Sequence, residues 1–126
     1  MSKFRAIVEK TDTGFSSYID ELAVYTTGSS ISELKRNLVE ALELLFEEEE
    51  RKISTNDIEL EIDLKQFFQY YRVINSSFLA ERIGMNPTLL SQYVRGNKKP
   101  SSKQTEKIIN GIHEIGRELS EINLVL

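Results

Sequence analysis

The chain has 126 residues, of which 40% are hydrophobic and 29% charged, a composition that suits a folded core rather than a disordered chain. It contains no cysteine, which excludes disulfides, thiolate chemistry and cysteine-based metal sites. No apolar run approaches the roughly 18 residues that a membrane span needs, and residues 1–10 lack the apolar core of a signal peptide. We therefore expect a cytoplasmic protein with no membrane partner.

Charge is distributed unevenly along the chain. Residues 1–63 hold 7 Lys and Arg against 15 Asp and Glu, a net of −8. Residues 64–126 hold 9 against 5, a net of +4. Such asymmetry indicates two modules with different partners, of which one can be a polyanion. We therefore predict a first domain over 1–63 and a second over 64–126.

Alternation and turn residues predict four strands and one helix in the first half. Apolar residues alternate within 3–9, 15–19 and 58–62, and a short β-branched run follows the second of these strands. Ser30 and Glu33 have capping-box spacing at the start of the predicted helix. The first domain is therefore predicted to be β-β-β-α-β, a small sheet with one helix over its apolar face.

The acidic run Glu47–Glu50 directly follows this helix. Negative charge at a helix C-terminus opposes the dipole, and neighbouring like charges repel one another. The run is interpreted either as a solvated helix end leading to a linker or as part of an acidic surface for a basic protein.

Caps and glycines divide the second half into four predicted helices. A helix over 64–73 precedes a short one over 77–83, which ends at Gly84. Another short helix begins at Pro87, whose missing N–H costs nothing at the first helical position, and a long helix follows Ser101. Short helix, glycine turn and short helix is the helix-turn-helix arrangement, so the whole chain is predicted to be α+β.

One face of the helix that begins at Pro87 carries small polar and basic side chains. A glutamine amide can pair with adenine, and arginine with guanine or a phosphate, while lysines beyond the helix can hold the flanking backbone. The candidate DNA-binding residues on this face and after it are Thr88, Ser91, Gln92, Arg95, Lys98 and Lys99. Helix N-termini at Ser76 and Asn86 add amide donors for phosphate. Alternatively, the polar face is only solvated and its cations only offset the helix dipole.

The segment FLAERIGMNPTLLSQYVRGNKKPS resembles the Cro/phage-repressor (Xre-type) helix-turn-helix family, over roughly residues 64–119. The positions that carry the likeness are Leu79, Ala80, Gly84, Leu90, Gly96, Lys99 and Pro100. The resemblance implies that Ser76, Pro87, Thr88 and Gln92 face double-stranded DNA. Tyr93 stands where the family usually has Trp or Leu, and Pro87 replaces a donor that often reads a base.

The segment FRAIVEKTDTGFSSYIDELAVYTTGSSISELKRNLVEALELL, residues 4–45, resembles HicB-family antitoxins. Its glycine, polar turn and helix with a mid-helix Asn37 match the family, whereas TDTGFSS replaces the usual proline-rich patch. The resemblance implies a partial ribonuclease-H-like fold without its activity, which neutralises a small basic RNA-cleaving toxin (HicA-like) and represses its own operon. The alternative is a stand-alone repressor whose N-terminal domain binds another protein or a ligand.

Residues suited to catalysis are few. The one histidine, His113, is expected to be a half-exposed packing residue, since general-base work needs a positioned partner. Glu9, Asp12 and Asp20 are carboxylates of the kind that hold Mg²⁺, but their placement in the pattern favours ordinary solvation. We expect no enzyme, no metal and no cofactor.

The end of the chain is predicted to join two copies. Apolar residues alternate with polar or smaller ones at Ile122, Leu124 and Leu126, which predicts a terminal strand. The helix before this strand contains Gly111 and Gly116, and the missing Cβ atoms permit another element to approach it closely. A homodimer suits a repressor that reads two half-sites. The predicted dimerisation residues are Ile115, Leu119, Ile122, Leu124 and Leu126. Alternatively, the glycines weaken the helix and the tail packs locally or frays.

Overall fold

The computed structural model describes residues 3–124 and is α+β, with a four-stranded mixed sheet followed by helices. The chain forms two compact units, Met1–Tyr70 and Tyr71–Leu126. Within residues 3–124, no helix is both long enough and apolar enough to cross a bilayer.

The first unit contains the sheet and two helices. Its strands are β1 (Phe4–Thr11), β2 (Gly14–Ile19), β3 (Val24–Gly28) and β4 (Ile58–Ile62), and its helices are α1 (Ile31–Leu45) and α2 (Leu64–Tyr70). The strand order in the sheet is β3-β2-β1-β4. Neighbours among β1, β2 and β3 are antiparallel, whereas β4 lies parallel to β1. The predicted succession β-β-β-α-β is observed, with α1 between β3 and β4 in the chain.

Helix α1 covers one face of the sheet, which is the face predicted from the alternation. The core residues are Ala6, Val8, Ile19, Val24, Leu34, Leu38, Leu42, Ile53 and Ile58. Leu34, Leu38 and Leu42, each four positions apart on α1, enter this core, so its apolar stripe matches the sheet beneath it. The amide of Asn37 also donates a 2.7 Å hydrogen bond to the carbonyl of Thr27, which ties α1 to β3.

The N-terminus of α1 differs in one detail from the predicted capping box. The Ser30 hydroxyl accepts from the Glu33 amide at 3.1 Å, as expected. The Glu33 carboxylate accepts instead from the hydroxyl of Ser29, at 2.6 Å. Since these bonds favour the charged form, the Ser29 hydroxyl and backbone hold the pKa of Glu33 below its ordinary value.

The boundary between the units lies further along the chain than the predicted 63–64. Helix α2 belongs to the first unit because the Gln66 side chain bonds the backbone of Lys10 twice. The Lys10 N–H donates to Gln66 Oε1 at 2.8 Å, and Gln66 Nε2 donates to the Lys10 carbonyl at 2.7 Å. The second unit therefore begins at Tyr71, and the helix predicted over 64–73 ends at Tyr70.

The second unit consists of α3 (Ser76–Ile83), α4 (Pro87–Val94) and α5 (Ser102–Ser120). Helix α3 packs against both α4 and α5. The buried apolar residues of this unit are Leu79, Ala80, Met85, Leu90, Tyr93 and Ile108.

Gly111 allows α5 to approach α3 closely. A Cβ atom at Gly111 would lie 2.3 Å from Cγ2 of Ile83, which is far inside van der Waals contact. A Cβ atom at Gly116 would meet nothing within 4 Å. The missing side chain at Gly111 therefore serves packing within the unit, where the sequence had suggested approach by a second chain.

The predicted terminal strand is wrong over its described part. Residues 122–124 are exposed and have no strand conformation, while Leu126 lies outside the described residues. Of the other predicted dimerisation residues, Ile115 is half-buried, whereas Leu119, Ile122 and Leu124 are exposed.

Candidate nucleic-acid interface

Helices α3 and α4 are joined by a short turn over residues 84–86, whose geometry depends on Gly84. Gly84 has φ of 71°, the left-handed conformation that residues with a Cβ atom adopt only at a cost. The Met85 N–H donates to the carbonyl of Ala80 at 2.9 Å, so the turn folds back on the last turn of α3. Met85 in the turn and Leu90 on α4 are both buried, so the face of α4 that carries Leu90 packs against α3.

Asparagine side chains cap both helices. The Asn75 side chain accepts from the Phe78 amide at 3.0 Å. The Asn86 side chain accepts from the Thr88 amide at 2.8 Å and, more weakly, from the Leu89 amide at 3.4 Å. With Pro87 at the first helical position, the start of α4 is well defined. The backbone of its first turn is therefore held in a definite position.

The predicted DNA-facing residues of α4 lie opposite the buried Leu90 and Tyr93. Pro87, Thr88, Arg95, Lys98 and Lys99 are exposed. Ser91 and Gln92 are half-buried, and Ser76, in the first turn of α3, is half-buried as well. The predicted residues of α4 thus lie on its accessible side, Lys98 and Lys99 follow in the exposed turn, and Ser76 lies on the neighbouring helix.

The chain beyond α4 is fixed by the backbone of Gln92. Its carbonyl accepts from the amides of Asn97, at 2.9 Å, and Lys98, at 3.3 Å. Gly96 permits this turn because its φ is 78°. The turn keeps Lys98 close to the end of α4, where its ammonium group is exposed.

The surface is basic although the whole chain is acidic. The second unit, residues 71–126, holds 8 Lys and Arg against 5 Asp and Glu, a net of +3. Residues 84–100 contain Arg95, Lys98 and Lys99 and no Asp or Glu. A surface of this kind can hold phosphate oxygens with its cations and present hydroxyl and amide groups to base edges.

The sequence did not indicate the pairing of Arg82 on α3 with carboxylates of α5. Its guanidinium binds the carboxylate of Glu118 and lies 3.9 Å from that of Glu114. The single charge of Arg82 therefore lies between two of the unit's five carboxylates and offsets one negative charge on α5. The residues are 32 and 36 positions apart in the sequence, and no local pattern could have paired them.

The residues considered for catalysis or metal binding are exposed or half-buried. His113 is exposed on α5, where half-exposure was expected. Asp12 and Asp20 are exposed and Glu9 is half-buried. Among residues 3–124, no three His, Asp or Glu side chains are placed to share a metal ion.

Comparisons with protein-family models, curated proteins and solved structures found no match to this chain.

Proposed function

We propose that this chain is an antitoxin of the HicB kind, with one unit that neutralises a small basic RNA-cleaving protein and another that represses the operon. The observation that carries the proposal is the polar and basic surface of α4 and its following turn, set on two capped helices joined through Gly84. This arrangement fits a helix-turn-helix in which α4 enters the major groove of DNA and its first residues contact base edges.

Within this proposal, some residues recognise base edges and others bind phosphates. Thr88 and Gln92 are the base readers, since both lie on the polar side of α4 and carry groups that pair with bases. Arg95, Lys98 and Lys99 hold phosphates and so supply affinity for any sequence. The N-terminus of α3 at Ser76 adds backbone amide donors.

The first unit supports the antitoxin half of the proposal through its order of elements and its charge. The order β-β-β-α-β is the one predicted from the sequence pattern, and the segment 4–45 within it resembles HicB proteins. Residues 1–70 hold 8 Lys and Arg against 15 Asp and Glu, a net of −7, which suits a basic partner.

Two copies would read two half-sites of an operator about one helical turn apart. Three exposed apolar side chains at the end of α5 and just beyond it support a contact between copies. They are Leu119, Ile122 and Leu124.

The DNA-binding half is tested with the full chain and a duplex from upstream of its own reading frame. Gln92→Ala should cost about 1–3 kcal/mol on the specific site and relax discrimination at one base pair. Lys99→Ala should weaken binding to cognate and random duplexes alike and reduce the salt slope by about 1. Equal losses for both variants on both duplexes, measured by fluorescence anisotropy, would remove Gln92 from base recognition.

The antitoxin half is tested by co-expression with the small basic protein of the neighbouring reading frame. The double variant Thr88→Ala and Gln92→Ala should lose operator binding and still neutralise that protein. If the wild-type chain forms no complex with it, a stand-alone repressor remains, because operator binding by α4 does not depend on a toxin. Loss of neutralisation in the folded double variant would contradict the assigned division between the units.

A further inference from the structure

The sheet of the first unit has a second face, opposite the core and α1. Cross-strand partners lie on the same side of a sheet, and successive residues of a strand alternate between its faces. Ile7 is paired with Tyr18 on β2 and with Glu61 on β4, and Tyr18 is paired with Tyr25 on β3. Since the neighbouring Ala6, Val8, Ile19 and Val24 belong to the core, this row points the other way.

The row Tyr25, Tyr18, Ile7 and Glu61, together with Glu9 and Glu59, defines what we call the open face. Tyr25 is 67% exposed and is the second residue of β3, which is an edge strand of the sheet. Tyr18 and Ile7 are half-buried, as expected for the centre of a sheet with solvent above it. Aromatic side chains that remain exposed on a flat surface are typical of protein interfaces, where tyrosine is enriched.

The carboxylates of the open face lie on β1 and β4, whereas its tyrosines lie on β2 and β3. Glu59 and Glu61 stand on β4 and Glu9 on β1, while Arg5 is the cation among them, 3.5 Å from Glu61. Burial raises the pKa of the Tyr18 phenol, and the nearby charges of Asp20, Asp63, Glu9 and Glu61 raise it further. The open face therefore combines tyrosine rings with an excess of negative charge.

The other acidic feature of the unit, the run Glu47–Glu50, has a different environment. Residues 47–49 form a single tight turn after α1, and all of the run is exposed. Arg51, which follows it, packs its guanidinium over the rings of Phe4 and Phe46, at 5.1 and 4.8 Å. The run is thus a solvated end of α1.

We infer that the open face is the docking surface for a basic protein partner, which places arginine and lysine side chains against Tyr25 and Tyr18 and beside Glu9, Glu59 and Glu61. Guanidinium groups stack on tyrosine rings and pair with carboxylates, so one partner surface satisfies both features. This inference rests on the proposed function, because it assigns the toxin to one surface of the first unit.

The first experiment uses the absence of tryptophan from the chain. Tyr25→Trp places a fluorescent reporter on the open face, and Leu44→Trp places one on α1 at nearly equal exposure, 67% and 65% for the native residues. The full-length variants are titrated with the small basic protein of the neighbouring reading frame in a catalytically inactive form. The signal of that protein titrated with the tryptophan-free wild type is subtracted.

Binding should shift the emission of the Tyr25→Trp variant to shorter wavelength and protect it from acrylamide. The Leu44→Trp variant should remain as quenchable as before. A second pair of variants carries the same charge change, Glu59→Lys on the open face and Glu48→Lys in the acidic run. The first should weaken binding about tenfold or more, and the second should change it little. Unfolding midpoints matching the wild type establish that each variant is folded.

The outcomes separate this inference from the proposed function. Suppose that the wild type binds, but the reporter at position 44 is protected instead of the one at position 25, or Glu48→Lys weakens binding more than Glu59→Lys. The docking surface then lies elsewhere, and the inference fails while the proposed function stands. If the reporter at position 25 is already protected in the free chain and becomes quenchable on dilution, a second copy of this chain covers the face. If the wild type does not bind the basic protein, the proposed function fails and the inference falls with it.

Discussion

Two glycines of α5 offer a matched test of how closely this helix packs against α3. Replacing a helical glycine with alanine removes backbone freedom from the unfolded chain, which stabilises a helix interior by roughly 0.5–1 kcal/mol. Gly111 and Gly116 lie in the same helix, so both substitutions should receive this gain. They differ in what the new methyl group meets.

At Gly116 the methyl group would enter open space, and Gly116→Ala should stabilise the second unit by about 0.5–1 kcal/mol. At Gly111 it would lie 2.3 Å from Cγ2 of Ile83. That carbon is attached directly to the branched Cβ atom, so it can move only by a rotamer change or by a shift of the helix. Forcing an extra methyl group into a packed site costs about 1–3 kcal/mol. The difference between the two variants should therefore be about 1–3 kcal/mol, with Gly111→Ala the less stable.

Urea unfolding of the full chain, followed through the NMR methyl signal of the buried Ala80, reports on the second unit alone. Ile83→Ala supplies a further control, because it removes the atom that the new methyl group would meet. In that background Gly111→Ala should become as stabilising as Gly116→Ala. Equal stabilisation by both glycine substitutions in the wild-type background would refute the close approach of α5 to α3.

Three further predictions concern other parts of the chain. Gln66→Leu should leave the Lys10 N–H and carbonyl without their hydrogen-bond partners, which should lower the free energy of unfolding by about 1–3 kcal/mol. Hydrogen exchange of the Lys10 amide should become faster. An unchanged exchange rate would show that Gln66 of α2 does not bond the backbone of β1. Ser29→Ala should raise the pKa of Glu33 towards its ordinary value in an NMR titration. Because the folded pKa is lowered, the bond stabilises the fold above the ordinary pKa of Glu33, and this contribution is lost as pH falls through the folded value. If the chain forms the proposed dimer through the exposed Leu119, Ile122 and Leu124, removing residues 121–126 should shift its sedimentation from dimer to monomer, and an unaltered dimer would exclude the tail from the interface.

Local patterns predicted the elements well because the interactions that define them are local. The alternation in β4 and the cap at Ser30 each involve residues only a few positions apart, and both were confirmed. Asn75 and Asn86 likewise cap α3 and α4 through amides two or three residues on. In these places the side chain that stabilises the element lies within the element or directly beside it.

The corrections to the domain boundary, to the role of Gly111 and to the tail concern contacts that local patterns do not reveal. The boundary moved because Gln66 bonds Lys10, 56 positions away, and helical periodicity alone could not reveal that. Gly111 was misread for the same reason, since its neighbour Ile83 is on another helix. The tail alternates like a strand, but a strand also needs a hydrogen-bonding partner, and alternation does not supply one.

The candidate DNA surface was predictable residue by residue, whereas its charge environment was not. Thr88, Gln92 and Arg95 follow from helical geometry once Leu90 and Tyr93 are taken as the buried side. The pairing of Arg82 with carboxylates of α5 depends on how two helices pack. The open face was missed because strand register, rather than composition, brings Tyr18 and Tyr25 together.

A net charge of −4 would by itself oppose binding to DNA, so the placement of charge must decide the outcome. Exposed charges are screened over about 8 Å at physiological ionic strength, which limits each phosphate to the charges in its immediate neighbourhood. Around α4 those are Arg95, Lys98 and Lys99, within a segment that has no carboxylate. Lowering the salt concentration lengthens the screening distance. The net charge of −7 on the first unit then increasingly opposes the attraction between the second unit and DNA. Affinity for DNA should therefore rise less steeply at very low salt than the number of phosphate contacts alone would give.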